Sequence, residues 1–267
     1  MDTSTFLQTH RVFSLDEAVR ALDPAGGRKA TLERLKYAAR RGKVKRLARG
    51  TYASIPPGMN PAKFQPDRFL AAVALRPDAV FSHHSALELL GAAHSEWRLC
   101  TAYSDRRAQP FTLDGAELRF VSYPKPLVAR QLTQLGTRAV HRLDRELRVT
   151  GPERTLIDGF RRPDWVGGLP ELVESAAGFS VLELPLLFDL LNAHGQRILW
   201  AAVGWFLDTY RATFFVSDQD LALIKKEVPK APQYLAKDQR GGVLAQPWNL
   251  IVPAYLTAGR EPDESQR

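Results

Sequence analysis

The sequence predicts an α+β fold on three observations. An amphipathic helix pattern, a basic helix pattern and two short strand patterns follow one another within residues 15–54. Strand patterns succeed each other between residues 97 and 149, and helical periodicity takes over after Thr150. Runs of strands followed by runs of helices describe an α+β chain rather than an alternating one. The expected architecture is an N-terminal winged helix-turn-helix domain followed by a larger mixed α/β domain, with a small, mainly antiparallel sheet and several helices.

The first helix is expected over residues 15–22. Ser14 with Glu17 three residues on forms a capping box, and Leu15, Ala18, Val19 and Leu22 give the apolar stripe of a packed helix. Residues 23–30, DPAGGRKA, read as a turn or one short helix. Thr31 is the expected N-cap of a second helix. Its Leu32, Leu35, Ala38 and Ala39 share one face, with Glu33, Arg34, Tyr37, Arg40 and Arg41 on the other. Gly42 should end that helix, and residues 43–47 and 51–54 read as strands closing on Ala48-Arg49-Gly50. Helix, turn, basic helix and basic hairpin in this order describe a winged helix-turn-helix.

Charge singles out the same stretch. Residues 28–54 hold ten Lys or Arg (Arg28, Lys29, Arg34, Lys36, Arg40, Arg41, Lys43, Lys45, Arg46, Arg49) against one acid, Glu33. The whole 267-residue chain carries only +8, so the basicity is local. A compact basic element gains affinity for duplex DNA by releasing counterions from the phosphates. The side chains expected at double-stranded DNA are Arg28, Lys29, Thr31, Arg34, Tyr37, Arg40 and Arg41 on the helix, with Lys43, Lys45, Arg46 and Arg49 on the hairpin.

The expected domains are residues 1–54, a linker at 55–66 with four prolines and a glycine, a second domain at 67–258, and a polar tail at 259–267. Helices are expected at 67–75 and 82–90, the latter capped by Ser82 and stopped at Gly91. His83, His84 and His94 invite a metal reading. Adjacent helical histidines diverge, however, and no carboxylate follows at ligand spacing, so packing is expected and no metal or cofactor. Strands are expected at 97–103, at 117–123 after an Asp114-Gly115 turn, at 139–143 and at 147–149, with Arg106 and Arg107 on the intervening loop.

Thr150 and Glu153 read as a second capping box opening a helix over 152–160, which buries Leu156 and Ile157. Asp158, one turn after Arg154, reads as a structural pair. Four more helical patterns follow, at 169–177, 181–193, 198–210 and 218–227. The third, apolar nearly all round, belongs at the centre of a bundle or against a partner. Strand-like pieces close the chain at 243–245 and 248–252.

Several function classes are disfavoured. No apolar run approaches the ~20 residues of a membrane span, and MDTSTFLQTH lacks the order of a secretory signal, so a cytoplasmic protein without a membrane partner is expected. A single cysteine, Cys100, rules out an internal disulfide and a cysteine-based zinc cluster; a buried strand position is expected for it. The glycine pairs lack the strand-to-helix context of a phosphate loop, and no nucleophile elbow is present. A protein without catalytic activity is expected. The nearest catalytic pattern is Asp105 with Glu117-Leu118-Arg119, placed as a PD-(D/E)xK metal-dependent nuclease would place its residues, except that Arg119 stands where a lysine is needed and stays charged. Another alternative is a protein-interaction module with residues 198–210 as its contact face.

The chain resembles the AbiEi family of type IV antitoxins. The segments that carry the resemblance are TLERLKYAARRGKVKRLARGTYAS, FSHHSALELLGAAH, VTGPERTLIDGFRRPDWVGG, LLNAHGQRILWAAVGWFLD and RGGVLAQPWNLIVP, spread from about residue 12 to residue 255. The resemblance implies a transcriptional repressor that binds inverted repeats in its own promoter. It also implies a functional partner, a nucleotidyltransferase-like AbiEii toxin, counteracted without a tight complex.

Overall fold

The structure is a computed structural model that describes residues 1–22, 25–106, 109–113, 115–236 and 241–257. The chain is an α+β protein that divides into two compact units. One comprises residues 1–81, 98–122 and 139–149, the other residues 82–97, 123–138 and the chain from Thr150.

The first unit opens with α1 (Thr3–Thr9), whose N-terminus is capped by the Asp2 carboxylate accepting from the Ser4 and Thr5 amides at 2.8 and 3.0 Å. Then come β1 (Val12–Ser14), α2 (Leu15–Leu22), α3 (Gly27–Arg40), β2 (Val44–Ala48) and β3 (Thr51–Ser54). The capping box of α2 forms as expected: the Ser14 amide donates to Glu17 at 2.7 Å and the Glu17 amide to Ser14 Oγ at 3.2 Å. The start of α3 differs from expectation. It begins at Gly27, so Arg28 to Ala30 are helical and Thr31 is an interior residue rather than a cap. Asp23 and Pro24 lie outside the described residues.

The reason lies in which stripe packs. Thr31, Leu35 and Ala38 are buried at i, i+4 and i+7, Leu32 is half-buried and Ala39 is exposed. Thr31 Oγ1 donates to the Gly27 carbonyl at 3.1 Å, which satisfies its hydroxyl inside the packed face. Gly42, at φ +68°, ends the helix where a left-handed residue is required.

β3 lies between β1 and β2, antiparallel to both, with Ala53 opposite Val12 on one side and Lys45 on the other. Phe6, Phe13, Leu15, Leu22, Leu35 and Tyr52 form the core beneath this sheet. Phe6 meets Phe13 edge-on at 4.8 Å.

Residues 55–66 contain neither helix nor strand, and the unit continues beyond them. α4 (Arg68–Leu75) is capped by Asp67 and packs against β1 and β3. β4 (Val80–Phe81), β5 (Leu99–Tyr103), β6 (Phe111–Leu113), β7 (Ala116–Val121), β8 (Thr137–Arg142) and β9 (Arg145–Thr150) form a six-stranded sheet in the order β6-β7-β5-β4-β9-β8. The sheet is mixed rather than mainly antiparallel. β5 runs parallel to β7 and β4 parallel to β9, while β4–β5 and β6–β7 are antiparallel. Period-2 patterning marks strands but not their partners, and β4 and β6 are too short to show a period at all. Cys100 is buried on β5.

The second unit holds α5 (His84–Leu89), α6 (Lys125–Ala129), α7 (Pro152–Arg161), α8 (Leu169–Ala177), α9 (Leu184–His194), α10 (Arg197–Thr209) and α11 (Asp218–Lys225). A small sheet of β10 (Gln233–Tyr234), β11 (Gly242–Ala245) and β12 (Leu250–Pro253) completes it, ordered β10-β12-β11. α10 is its centre: every residue from Leu199 to Leu207 is buried. The expected contact face at 198–210 is therefore interior, consumed by the unit's own core.

Two expected caps are also replaced. Ser82 Oγ bonds the His83 ring at 2.9 Å instead of capping α5, and His83 takes the cap position at φ +56°. Thr150 Oγ1 pairs with Thr155 at 2.8 Å, and Glu153 accepts from the Glu183 amide at 2.8 Å, leaving Gly151 as the cap of α7. Ser82 and Thr150 are taken by partners one and five positions on, local competitors for the hydroxyl, and only Glu153 is drawn away by a distant segment. Among the described residues no helix is long and apolar enough to cross a membrane.

Candidate nucleic-acid interface

With Thr31, Leu35 and Ala38 turned inward, the flanks and outer face of α3 carry Arg28, Lys29, Arg34, Tyr37 and Arg40, and its C-cap is Arg41, all exposed. Lys43, Arg46 and Arg49 are exposed beyond it on the hairpin. Lys45 is half-buried, with Nζ donating to the Phe64 carbonyl at 3.1 Å, so it serves partly to hold the irregular segment 55–66 against β2. Thr31 departs from expectation: it is wholly buried and reaches no surface.

The electrostatics of this face follow from what is and is not paired. Arg28 bonds Asp16, with both side chains well exposed. Lys36 bonds Glu33 at 2.8 Å and holds its carboxyl below the usual range, so the one acid of the stretch is spent locally. Among the described residues no carboxylate lies within ion-pairing distance of Lys29, Arg34, Arg40, Arg41, Lys43, Arg46 or Arg49. Unneutralised charges packed along one helix and its hairpin raise the local potential and suit a polyanion.

The support beneath is long-range in sequence. Arg145 donates from Nη2 to the Val12 carbonyl at 2.9 Å and to Glu17 at 2.7 Å. Burial raises the Glu17 carboxyl, but the Ser14 amide and Arg145 outweigh it and keep the group below the usual carboxylate range. The Arg11 amide donates to Asp144 at 2.9 Å, and Arg142 pairs with Asp67 at 2.8 Å. Three links from the β8–β9 segment thus fix α2, β1 and α4, and so the platform on which α3 lies. The sequence carries no local signal for them, because the partners stand 75 to 133 positions apart.

The other candidate chemistries separate in space. The parallel register sets Glu117 opposite Leu99 and Val121 opposite Tyr103, so Asp105 lies beyond the far end of the strand pair. Six residues at about 3.3 Å each separate the two positions along the strand direction by roughly 20 Å of backbone. Glu117 bonds Arg119 at 2.6 Å, and no shared metal position results. A carboxylate does follow at helical spacing, contrary to expectation: His84 lies between Glu88, one turn on, at 3.0 Å and Glu171 at 3.4 Å and stacks on Trp97, while His83 abuts Trp165. Among the described residues no three His, Cys, Asp or Glu side chains are grouped to hold a metal ion. Arg107 lies outside the described residues.

A second polar cluster, not foreseen as a whole, is buried in the second unit. Asp158 bonds Arg161 at 3.3 Å and faces Arg154 at 3.6 Å. His83 and His194 are buried beside them; burial foremost, opposed by Asp158, pushes each imidazole down to about 4. Only the Arg154–Asp158 spacing is visible in sequence, since His83 arrives from the cap of α5 and His194 from α9.

No protein-family model and no curated protein matches the chain. Its fold is similar to the crystal structure of RV2827C protein from Mycobacterium tuberculosis, at 18% sequence identity and a TM-score of 0.60, over 93% of this chain and 89% of that one. At that identity the likeness is one of fold alone.

Proposed function

We propose that α2, α3 and the β2–β3 hairpin act as a winged helix-turn-helix that binds duplex DNA, and that the protein is a transcriptional repressor. The observation that carries this reading is the set of exposed cations Lys29, Arg34, Arg40, Arg41, Lys43, Arg46 and Arg49, none of which has a carboxylate within ion-pairing distance among the described residues. Arg28, Lys29, Arg34, Tyr37, Arg40 and Arg41 serve the groove and its flanking phosphates, and Lys43, Lys45, Arg46 and Arg49 grip the adjacent backbone. Phosphate contacts position the protein and base contacts specify the site. The resemblance to AbiEi proteins extends the proposal. The operator is an inverted repeat in the protein's own promoter, and the chain is a cytoplasmic, non-catalytic type IV antitoxin that counteracts an AbiEii-like nucleotidyltransferase toxin without a tight complex.

The test is binding of the full chain to duplex DNA from its own upstream region against a scrambled duplex of equal length, across a salt series. Preference for the upstream duplex with a steep salt slope supports the repressor. Weak binding, blind to sequence, overturns it and reduces the basic face to a generic anchor.

A further inference from the structure

Beside α3 lies a half-open groove of about 1130 Å³, walled by α1, by one flank of α3 and by the irregular segment after β3. Its lining joins two kinds of surface. Leu7, Ile55, Pro57 and Met59 are apolar; Arg11, Arg34, Arg41 and Lys43 are cationic; Tyr37 is 62% exposed between them, with the Arg41 guanidinium 6.0 Å from its ring centre. Glu33 is the one carboxylate in the lining, and Lys36 holds it.

A surface serving only duplex phosphates needs cations and no apolar concavity. A concave site of this size, just above the roughly 300–1,000 Å³ usual for small ligands, with apolar walls and a few polar groups, has room for a small molecule. The charges require that molecule to be anionic, and arginine favours phosphate. The exposed tyrosine beside proline and methionine favours a flat aromatic ring that can stack. We propose that this groove binds a nucleotide, with its phosphates on Arg11, Arg34 and Arg41 and its base against Tyr37 and Met59. Arg34, Tyr37, Arg41 and Lys43 also belong to the surface assigned to duplex DNA. A bound nucleotide therefore withdraws them from DNA, which makes it an effector that releases the repressor. That second step rests on the DNA-binding reading; the site itself does not.

The experiment uses the full chain and the fluorescent probe N-methylanthraniloyl-ATP, followed by anisotropy, with ATP, adenosine and tripolyphosphate as competitors at matched ionic strength. ATP is expected to displace the probe at concentrations at least tenfold lower than either fragment. Ser4→Trp, which adds a neutral ring at an exposed α1 position in the groove wall, is expected to weaken the probe at least fivefold. Its melting temperature should match the parent's, and its affinity for the upstream duplex should stay within twofold. Saturating ATP, but not tripolyphosphate, is expected to weaken upstream-duplex binding at least tenfold. Tripolyphosphate competing as well as ATP, or an unaffected Ser4→Trp protein, overturns the site. Duplex binding indifferent to ATP overturns the effector role. Nucleotide binding in a protein that ignores duplex DNA supports the site and instead overturns the DNA-binding reading.

Discussion

Arg154 and Asp158 stand one turn apart on α7, 3.6 Å from guanidinium to carboxylate, with neither side chain exposed to solvent. Arg154 also donates from Nη1 to the carbonyls of Thr133 and Leu135 at 2.6 and 2.9 Å, so the pair ties the segment after α6 to the helical core. Removing one partner of a buried ion pair leaves the other charged and poorly solvated, which typically costs about 3–5 kcal/mol. Asp158→Asn should lower the unfolding free energy measured in urea by that amount. A loss under about 1 kcal/mol would mean that the carbonyls alone satisfy Arg154.

Acid should weaken the same cluster. His83 and His194 titrate near 4 in the folded chain against an ordinary value of 6.5, so the unfolded chain binds more protons between those limits. Stability is then complete above pH 6.5 and is lost as pH falls toward 4, by at most about 3 kcal/mol per histidine. Asp158, held below the usual range by Arg154 against its burial, adds a further loss only below about pH 4. Chemical denaturation at pH 7, 5.5 and 4.5 checks the slope. A His83→Gln, His194→Gln double variant should flatten it, and an unchanged slope would place the titrating groups elsewhere.

The contrast between these clusters and the basic face explains what was legible in the sequence. α2, α8 and the end of α3 at Gly42 were readable because their determinants lie within a turn or two of each other: a capping box, an apolar stripe, a glycine at positive φ. The cation row was readable because charge is local along α3 and the hairpin. What failed turned on a choice between competing nearby hydrogen-bond partners, or on packing and strand pairing that a single segment does not encode. Ser82 and Thr150 left their expected caps for His83 and Thr155, Thr31 turned inward to join Leu35, and the parallel pairing of β5 with β7 has no trace in either strand alone.

Gly204 supplies a test of the α10 core. A Cβ there would lie 2.4 Å from two ring atoms of Trp248 and 2.9 Å from Ile224. Trp248 cannot retreat freely, being buried and bonded through Nε1 to Asp208 at 3.0 Å. Alanine gains about 1 kcal/mol of helix preference over glycine. Overpacking a dense core typically costs about 1–3 kcal/mol or more. Gly204→Ala should therefore be a net loss in thermal or urea melts, despite the better helix former. A stabilised variant would show that the Trp248 ring has room to shift.

The surface assigned to DNA makes opposite demands on residues that are close in sequence. Arg46 and Arg49 are exposed on the hairpin with no carboxylate within ion-pairing distance among the described residues, so each can neutralise one phosphate. Changing both to alanine should weaken upstream and scrambled duplexes alike and reduce the slope of log K against log salt by about two. Arg34→Ala should instead cost about 1–3 kcal/mol mainly on the upstream duplex if its guanidinium reads a base. Thr31, three residues before Arg34, is buried and bonded to Gly27, so Thr31→Val should leave duplex binding unchanged while costing about 1 kcal/mol of stability. Binding isotherms over a salt series, run beside urea melts, separate the three effects. Loss of DNA affinity in Thr31→Val at unchanged stability would mean that α3 presents a different face to the duplex.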